Sequence, residues 1–157
     1  MNTLDQIDID ILNILQKDST MSVKDIAKKV GLSPTPTYER IKHMEESGLI
    51  LKYVTLLDRE KAGFQLIVYC HIILKEQSKK YLLDFEKSVA KFPEIMEVIS
   101  LSGNYDYMLK IVAKDISSYN DFVVNSLSNI KNIGQYHSNI VMSMPKHETA
   151  FPLSFEK

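Results

Sequence analysis

A single cysteine, Cys70, leaves this 157-residue chain without an intrachain disulfide or a thiolate-held metal cluster. Its position inside an apolar run makes it a small core residue rather than a reactive thiol. The four histidines, His43, His71, His137 and His147, lack the spacing of metal ligands. There is no glycine-rich phosphate loop, HExxH helix or nucleophile elbow. These absences point away from an enzyme, with no cofactor, no metal and no catalytic residue expected. Charge of one sign is also missing. A net charge of −1 offers nothing global to a polyanion, so any attraction to nucleic acid must be local. The start, MNTLDQIDID, is acidic and has no basic flank followed by an apolar core, unlike a signal peptide. The longest apolar run, near Leu66–Leu74, is interrupted by His71 and too short to span a bilayer. The expectation is a soluble cytoplasmic protein with no membrane partner.

The stretch Gly31–Gly48, GLSPTPTYERIKHMEESG, is the most informative part of the chain. Gly31 suits the positive-φ bend after a helix. Ser33 is placed as an N-cap, with Pro34 and Pro36 in a first turn whose amides need no intrahelical partner. Tyr38, Ile41 and Met44 are spaced as a buried stripe. Thr35, Pro36, Glu39, Arg40, His43 and Ser47 then fall on the polar side, with Lys42 at its margin. Before this helix, Ser22-Val23-Lys24-Asp25 has the form of a capping box opening a helix that buries Ile26, Ala27 and Val30. Helix, short glycine-containing turn, and a second helix with hydroxyls and bases near its start is the helix-turn-helix arrangement, whose second helix enters the major groove of DNA. A polar face can equally be a solvated one.

Around this pair the chain reads as follows. A first helix is expected over residues 5–17, with Ile7, Ile11, Ile14 and Leu15 inward and Asp5 and Asp8 at its positive end. Ile9 falls outside the stripe, as a lone exposed residue or a contact with a second subunit. Leu49–Leu57 reads as a strand, and Asp58–Gly63 as the domain boundary. Bases and acids are nearly balanced within residues 1–63, so one such module would bind DNA weakly unless several act together.

The second half has the rhythm strand, helix, strand, strand, helix, strand. The strands are read at 64–75, 95–102, 107–113 and 133–144. Ser78 opens one helix, and Ser117 or Ser118 the other. This is the split-βαβ ferredoxin-like pattern, an antiparallel sheet with two helices on one face. The strand at 64–75 is apolar on both sides, which asks for a second cover, and another subunit would supply it. The fold class is therefore α+β: an N-terminal (winged) helix-turn-helix domain, residues 1–63, followed by a C-terminal ferredoxin-like βαββαβ domain, residues 64–157. The turn Ser102–Tyr107, SGNYDY, has two readings. Gly103 exposes amides able to hold a carboxylate and Asp106 can meet an ammonium, which together complement a free amino acid. A plain hairpin turn is the other. His137 alternates with Gln135 and Asn139 along the last strand, as on a solvated face.

The order LDQIDIDIL, SVKDIAKKVGLSPTPTYERIKHMEESGLI and then an apolar half bearing SGNYDY resembles the Lrp/AsnC (feast/famine) family of prokaryotic transcriptional regulators along essentially the whole chain. The resemblance implies a sequence-specific regulator of double-stranded DNA that answers to a small effector, an amino acid, by changing its assembly or DNA affinity. It further implies dimers formed through the sheets and their assembly into octamers or related discs. It makes Ser33, Pro34, Thr35, Pro36, Thr37, Arg40 and His43 the DNA-reading candidates, with Lys42 on a phosphate. Gly103, Asn104, Tyr105 and Asp106 become the effector loop, joined by Gln135 and Asn139. His43 stands where the family usually has a second basic residue, which lowers affinity or makes it pH-dependent. An alternative class on the same two-domain plan comprises siroheme-decarboxylase-like enzymes and DNA-independent amino-acid sensors. The intact SPTPTYER helix and the dispersed histidines argue against it.

Overall fold

Asp5 opens the first helix, α1 (Gln6–Leu15), through a reciprocal capping box. Its carboxylate accepts from the Asp8 amide at 2.9 Å, and Asp8 accepts from the Asp5 amide at 3.2 Å. Helix α2 (Val23–Val30) begins at Ser22, whose hydroxyl accepts from the Asp25 amide and donates to the Asp25 carboxylate at 2.6 Å. It ends at Gly31, whose φ of 72° is the left-handed C-cap that a side chain would strain. Helix α3 (Pro34–Glu46) follows directly. Ile11, Leu12, Ile26, Ile41 and Met44 form the shared core of the three.

The computed structural model describes residues 4–155, which divide into two compact units, one running to Leu56 and including the segment from Lys146, the other Leu57–Pro145. The segment from Lys146, expected with the second domain, therefore clusters with the helical one.

In the second unit β1 (Leu66–Leu74), α4 (Lys79–Val89), β2 (Ile95–Ser100), β3 (Tyr107–Ala113), α5 (Ile116–Asn125) and β4 (Ile133–Ile140) form a four-stranded sheet in the order β2-β3-β1-β4. Every pairing is antiparallel, as the ferredoxin-like pattern requires. Alternation along β1 and β3 sends Val68, Cys70, Ile72, Tyr107, Leu109 and Ile111 into a core closed by Phe85 and Val89 of α4 and by Tyr119, Phe122 and Val123 of α5. The opposite face carries Tyr69, His71 and Ile73, with their β4 partners Asn139, His137 and Gln135.

Several local expectations are corrected. Tyr38 is 54% exposed, and the buried stripe of α3 is Thr37, Ile41 and Met44. Ser33 and Ser78 stand at N-cap positions without a side-chain bond to the helix, and α5 is capped by Asp115, which accepts from the Ser118 amide at 2.7 Å. Ile9 is buried within the single chain, as is Leu12, while Ile7, Ile14 and Leu15 are only partly covered. No strand forms over Leu49–Leu57. Its β-rich composition lacks a ladder partner among the described residues, and a strand exists only when paired. The last strand stops at Ile140, short of the expected Met144.

Candidate nucleic-acid and ligand sites

Burying Thr37, Ile41 and Met44 fixes which side of α3 faces outward. At the helical repeat, the residues opposite that stripe are Thr35, Glu39, Lys42, His43 and Glu46. All five are exposed. Ser33 and Pro34 are exposed at the N-terminal end and Pro36 is half-buried. Lys42 reaches Glu46 at 3.7 Å, so the outward face carries two acids beside its cation and histidine. Further positive charge comes from Lys24, Lys28 and Lys29 of α2, all exposed.

Two of the sequence-derived candidates do not stand on that face. Thr37 is completely buried, and its hydroxyl donates to the Ser33 carbonyl at 3.0 Å. It satisfies the first turn of α3 from inside and cannot reach a base. Arg40 lies on the flank towards α1, where its Nη1 donates to Asp5 Oδ2 and Asp8 Oδ1, both at 2.7 Å. The two carboxylates raise the pKa of the guanidinium. The Asp5 carboxyl is held below its usual value, chiefly by the Asp8 amide, with Arg40 adding to this against the cost of burial. Arg40 thus ties α3 to the start of α1, beside a shallow groove also lined by Pro36, Glu39 and His43. The spacing of α3 alone could not reveal this, because both partners lie more than thirty residues away. Tyr38 faces outward for the converse reason: an aromatic at helical spacing predicts a core position, and only the packing of α3 shows it exposed.

In the second unit the SGNYDY turn joins β2 to β3. Gly103, with φ of 134°, holds a conformation that side chains rarely adopt. The Asp106 amide donates to the Ile72 carbonyl at 2.9 Å, and Asp106 Oδ2 accepts from the Leu74 amide at 2.7 Å. Asp106 therefore anchors the hairpin to the end of β1, where the β1–β4 register shifts between Ile73 and Leu74. Tyr105 lies against His71, with ring centroids 4.7 Å apart, and meets His137 edge-on at 5.7 Å. Asn139 Nδ2 lies 3.1 Å from His71 Nδ1. The fold thus brings together Tyr105 and Asn139 from the expected effector set and adds His71 and His137, which are register partners across β1 and β4. Gln135 follows on the same face, opposite Ile73. Gly103 and Asn104 are exposed at the turn. The pairing of residue 71 with residue 137 depends on sheet register and had no signal in the sequence. Among the described residues no group of three or more His, Cys, Asp or Glu side chains could hold a metal ion.

Residues 4–50 match the profile of a winged helix-turn-helix DNA-binding family, and residues 67–151 match the Lrp/AsnC ligand binding domain. This chain belongs to the Lrp/AsnC family. As an Lrp/AsnC protein it is a transcriptional regulator that joins a helix-turn-helix DNA-binding module to a ligand-binding module. It is 37% identical over 150 residues to the transcriptional regulator AzlB of Bacillus subtilis, covering 96% of each chain. An AsnC family transcriptional regulator from Agrobacterium tumefaciens has a TM-score of 0.90 to it at 40% identity, over 95% of this chain and 97% of that one. A transcriptional regulator from Neisseria meningitidis, solved as its L-Met complex, has a TM-score of 0.91 at 31% identity, over 96% of this chain and 97% of that one. No helix among the described residues is long and apolar enough to cross a membrane.

Proposed function

We propose that this Lrp/AsnC protein binds operator DNA through the outward face of α3 and takes a free amino acid at the Tyr105 hairpin of its sheet. The observation that carries the ligand half is the Tyr105–His71–His137–Asn139 cluster, an aromatic and polar surface on the sheet face that the chain's own helices leave open. The related Neisseria regulator with L-Met bound supports an amino acid as the ligand class. The Gly103 and Asn104 amides would hold its carboxylate, and Asp106 Oδ1 would meet its ammonium group, since Oδ2 is engaged by Leu74. Gln135 and Asn139 border the same face.

On DNA, the exposed Ser33, Pro34 and Thr35 at the start of α3 approach the backbone, where helix amides favour phosphate. Thr35, Glu39 and His43 face base edges, and Glu39 suits the cytosine amino group. Lys42, Lys24, Lys28 and Lys29 meet phosphates. A face carrying Glu39 and Glu46 repels DNA as well as attracting it, so affinity depends on linking several heads. Homodimers formed through the open sheet face, assembled into octamers or smaller rings, supply that linkage. The functional division assigns DNA reading to residues 1–63 joined by the segment from Lys146, and effector binding and assembly to residues 64–145, with no catalytic step and a cytoplasmic setting.

A thermal-shift screen of the twenty amino acids, followed by gel-shift titration of the chain's own promoter with and without the hit, tests both halves. One amino acid should stabilise the protein and change promoter affinity. Turnover of siroheme together with indifference to every amino acid and to promoter DNA would overturn the reading in favour of an enzyme.

A further inference from the structure

One stripe of helix α1 is met by a distant part of the chain. Ile9, Asn13 and Gln16 stand four and three residues apart and so share one face of the helix. Asn13 Nδ2 donates to the Leu153 carbonyl at 3.3 Å. Gln16 makes a two-point contact with Phe151: its Oε1 accepts from the Phe151 amide at 2.7 Å, and its Nε2 donates to the Phe151 carbonyl at 3.2 Å. The Gln16 side chain thus presents the donor–acceptor pair that a strand edge would present, and the peptide can meet it in one orientation only. Leu153 packs against the core of the helical unit. Between them Pro152 sits in a tight turn closed by the Leu153 amide on the Phe151 carbonyl at 2.9 Å, a shape that its fixed φ favours. The path runs from Gln16 towards Asn13, and Ile9, 6% exposed, is the next residue of the stripe in that direction.

We propose that this stripe of α1 is a receptor for the chain's own Phe151-Pro152-Leu153 segment, so that the DNA-binding module is discontinuous and closes only when the chain returns from the sheet. The chain leaves the helical unit through residues 51–57, which form no helix or strand, and re-enters from the end of β4 through residues 141–150, which form none either. The clasp gives the head two tethers to the body in place of one. The second tether runs from β4, which carries His137 and Asn139. Residues 151–153 thereby become part of the helical unit.

The test uses the full chain with Leu153→Asp or Gln16→Ala and follows amide hydrogen exchange by mass spectrometry. Both variants should exchange the amides of the last turn of α1 about tenfold faster than the parent while β1 and β3 keep their protection. A synthetic peptide of sequence KHETAFPLSF, added in millimolar excess, should restore slow exchange to the Leu153→Asp chain but not to Gln16→Ala, which lacks the two-point contact. Gln16→Ala keeps Leu153 in place, so it can still be read if Leu153→Asp fails to fold. Unchanged α1 exchange in Gln16→Ala, or no recovery with peptide, overturns the proposal. Loss of α1 protection when the parent protein is diluted would place the contact between copies and overturn the assignment to the chain's own segment.

Discussion

Removing the Arg40 side chain distinguishes a base-reading arginine from one that fastens two helices. Its Nη1 sits 2.7 Å from each of two carboxylates, with 33% of the Arg40 side chain exposed against 17% for Asp8 and 49% for Asp5. A shielded charge-assisted bond contributes about 1.5–3 kcal/mol and a fully exposed ion pair about 0–1 kcal/mol. With this exposure the Asp8 contact belongs near 1 kcal/mol and the Asp5 contact nearer about 0.5 kcal/mol, after the discount for solvent screening. Arg40→Ala should therefore destabilise the helical unit by about 1–2 kcal/mol, which for so small a unit lowers its melting midpoint by roughly 5–15 °C. Asp8→Asn should reproduce much of the loss. The double variant should show a coupling of about 1 kcal/mol in a cycle followed by circular dichroism in urea. Operator affinity at 25 °C should change only as far as the folded fraction does. If Arg40→Ala left stability unchanged and weakened the operator complex by the 1–3 kcal/mol of a lost base contact, the tether would be refuted and the groove-reading role restored.

Lys42→Ala, which removes a cation from the outward face of α3, should reduce the salt dependence of DNA binding by about one unit of slope per bound head without altering sequence preference, as measured by titration at several ionic strengths. Tyr105→Ala should weaken the amino-acid complex by about 1 kcal/mol, roughly fivefold, because the ring contacted by both His71 and His137 is lost; calorimetry giving the parental affinity would separate the cluster from the ligand. Burial, reinforced by the bond from its hydroxyl to Glu86, pushes Tyr107 up to about 12, and burial likewise pushes Tyr119 up to about 12. Both phenols gain stability from staying protonated in the fold, and that gain is complete below about pH 10, where unfolded tyrosine begins to ionise, and is lost as pH rises towards 12. A spectrophotometric titration should accordingly show these two ionising late, with the sheet unit weakening over the same interval.

How far the residues disclosed the fold depended on the range of the interaction. Helix starts at Asp5 and Ser22, the left-handed stop at Gly31 and the hairpin between β2 and β3 were legible because each is decided within four or five residues. The ferredoxin-like order was legible because strand and helix periods alternate cleanly between Leu66 and Ile140. Tyr38 and Thr37 exchanged places because stripe spacing tolerates a shift of one residue, and only the packing of α3 on its neighbours settles which of the two is covered. Leu49–Leu57 shows the reverse error, a strand composition with nothing among the described residues to pair it.

The sequence by itself determined the two modules, their order, the family and the position of the reading helix, since these rest on local backbone preference and on the alternation of apolar and polar residues. Tertiary structure alone decided that Arg40 faces Asp5 and Asp8, that His71 and His137 meet across Tyr105, and that Phe151–Leu153 closes on α1. Each of those joins residues more than thirty apart, and such meetings are set by register, helix rotation and the path of the returning chain, none of which leaves a periodic mark on the sequence.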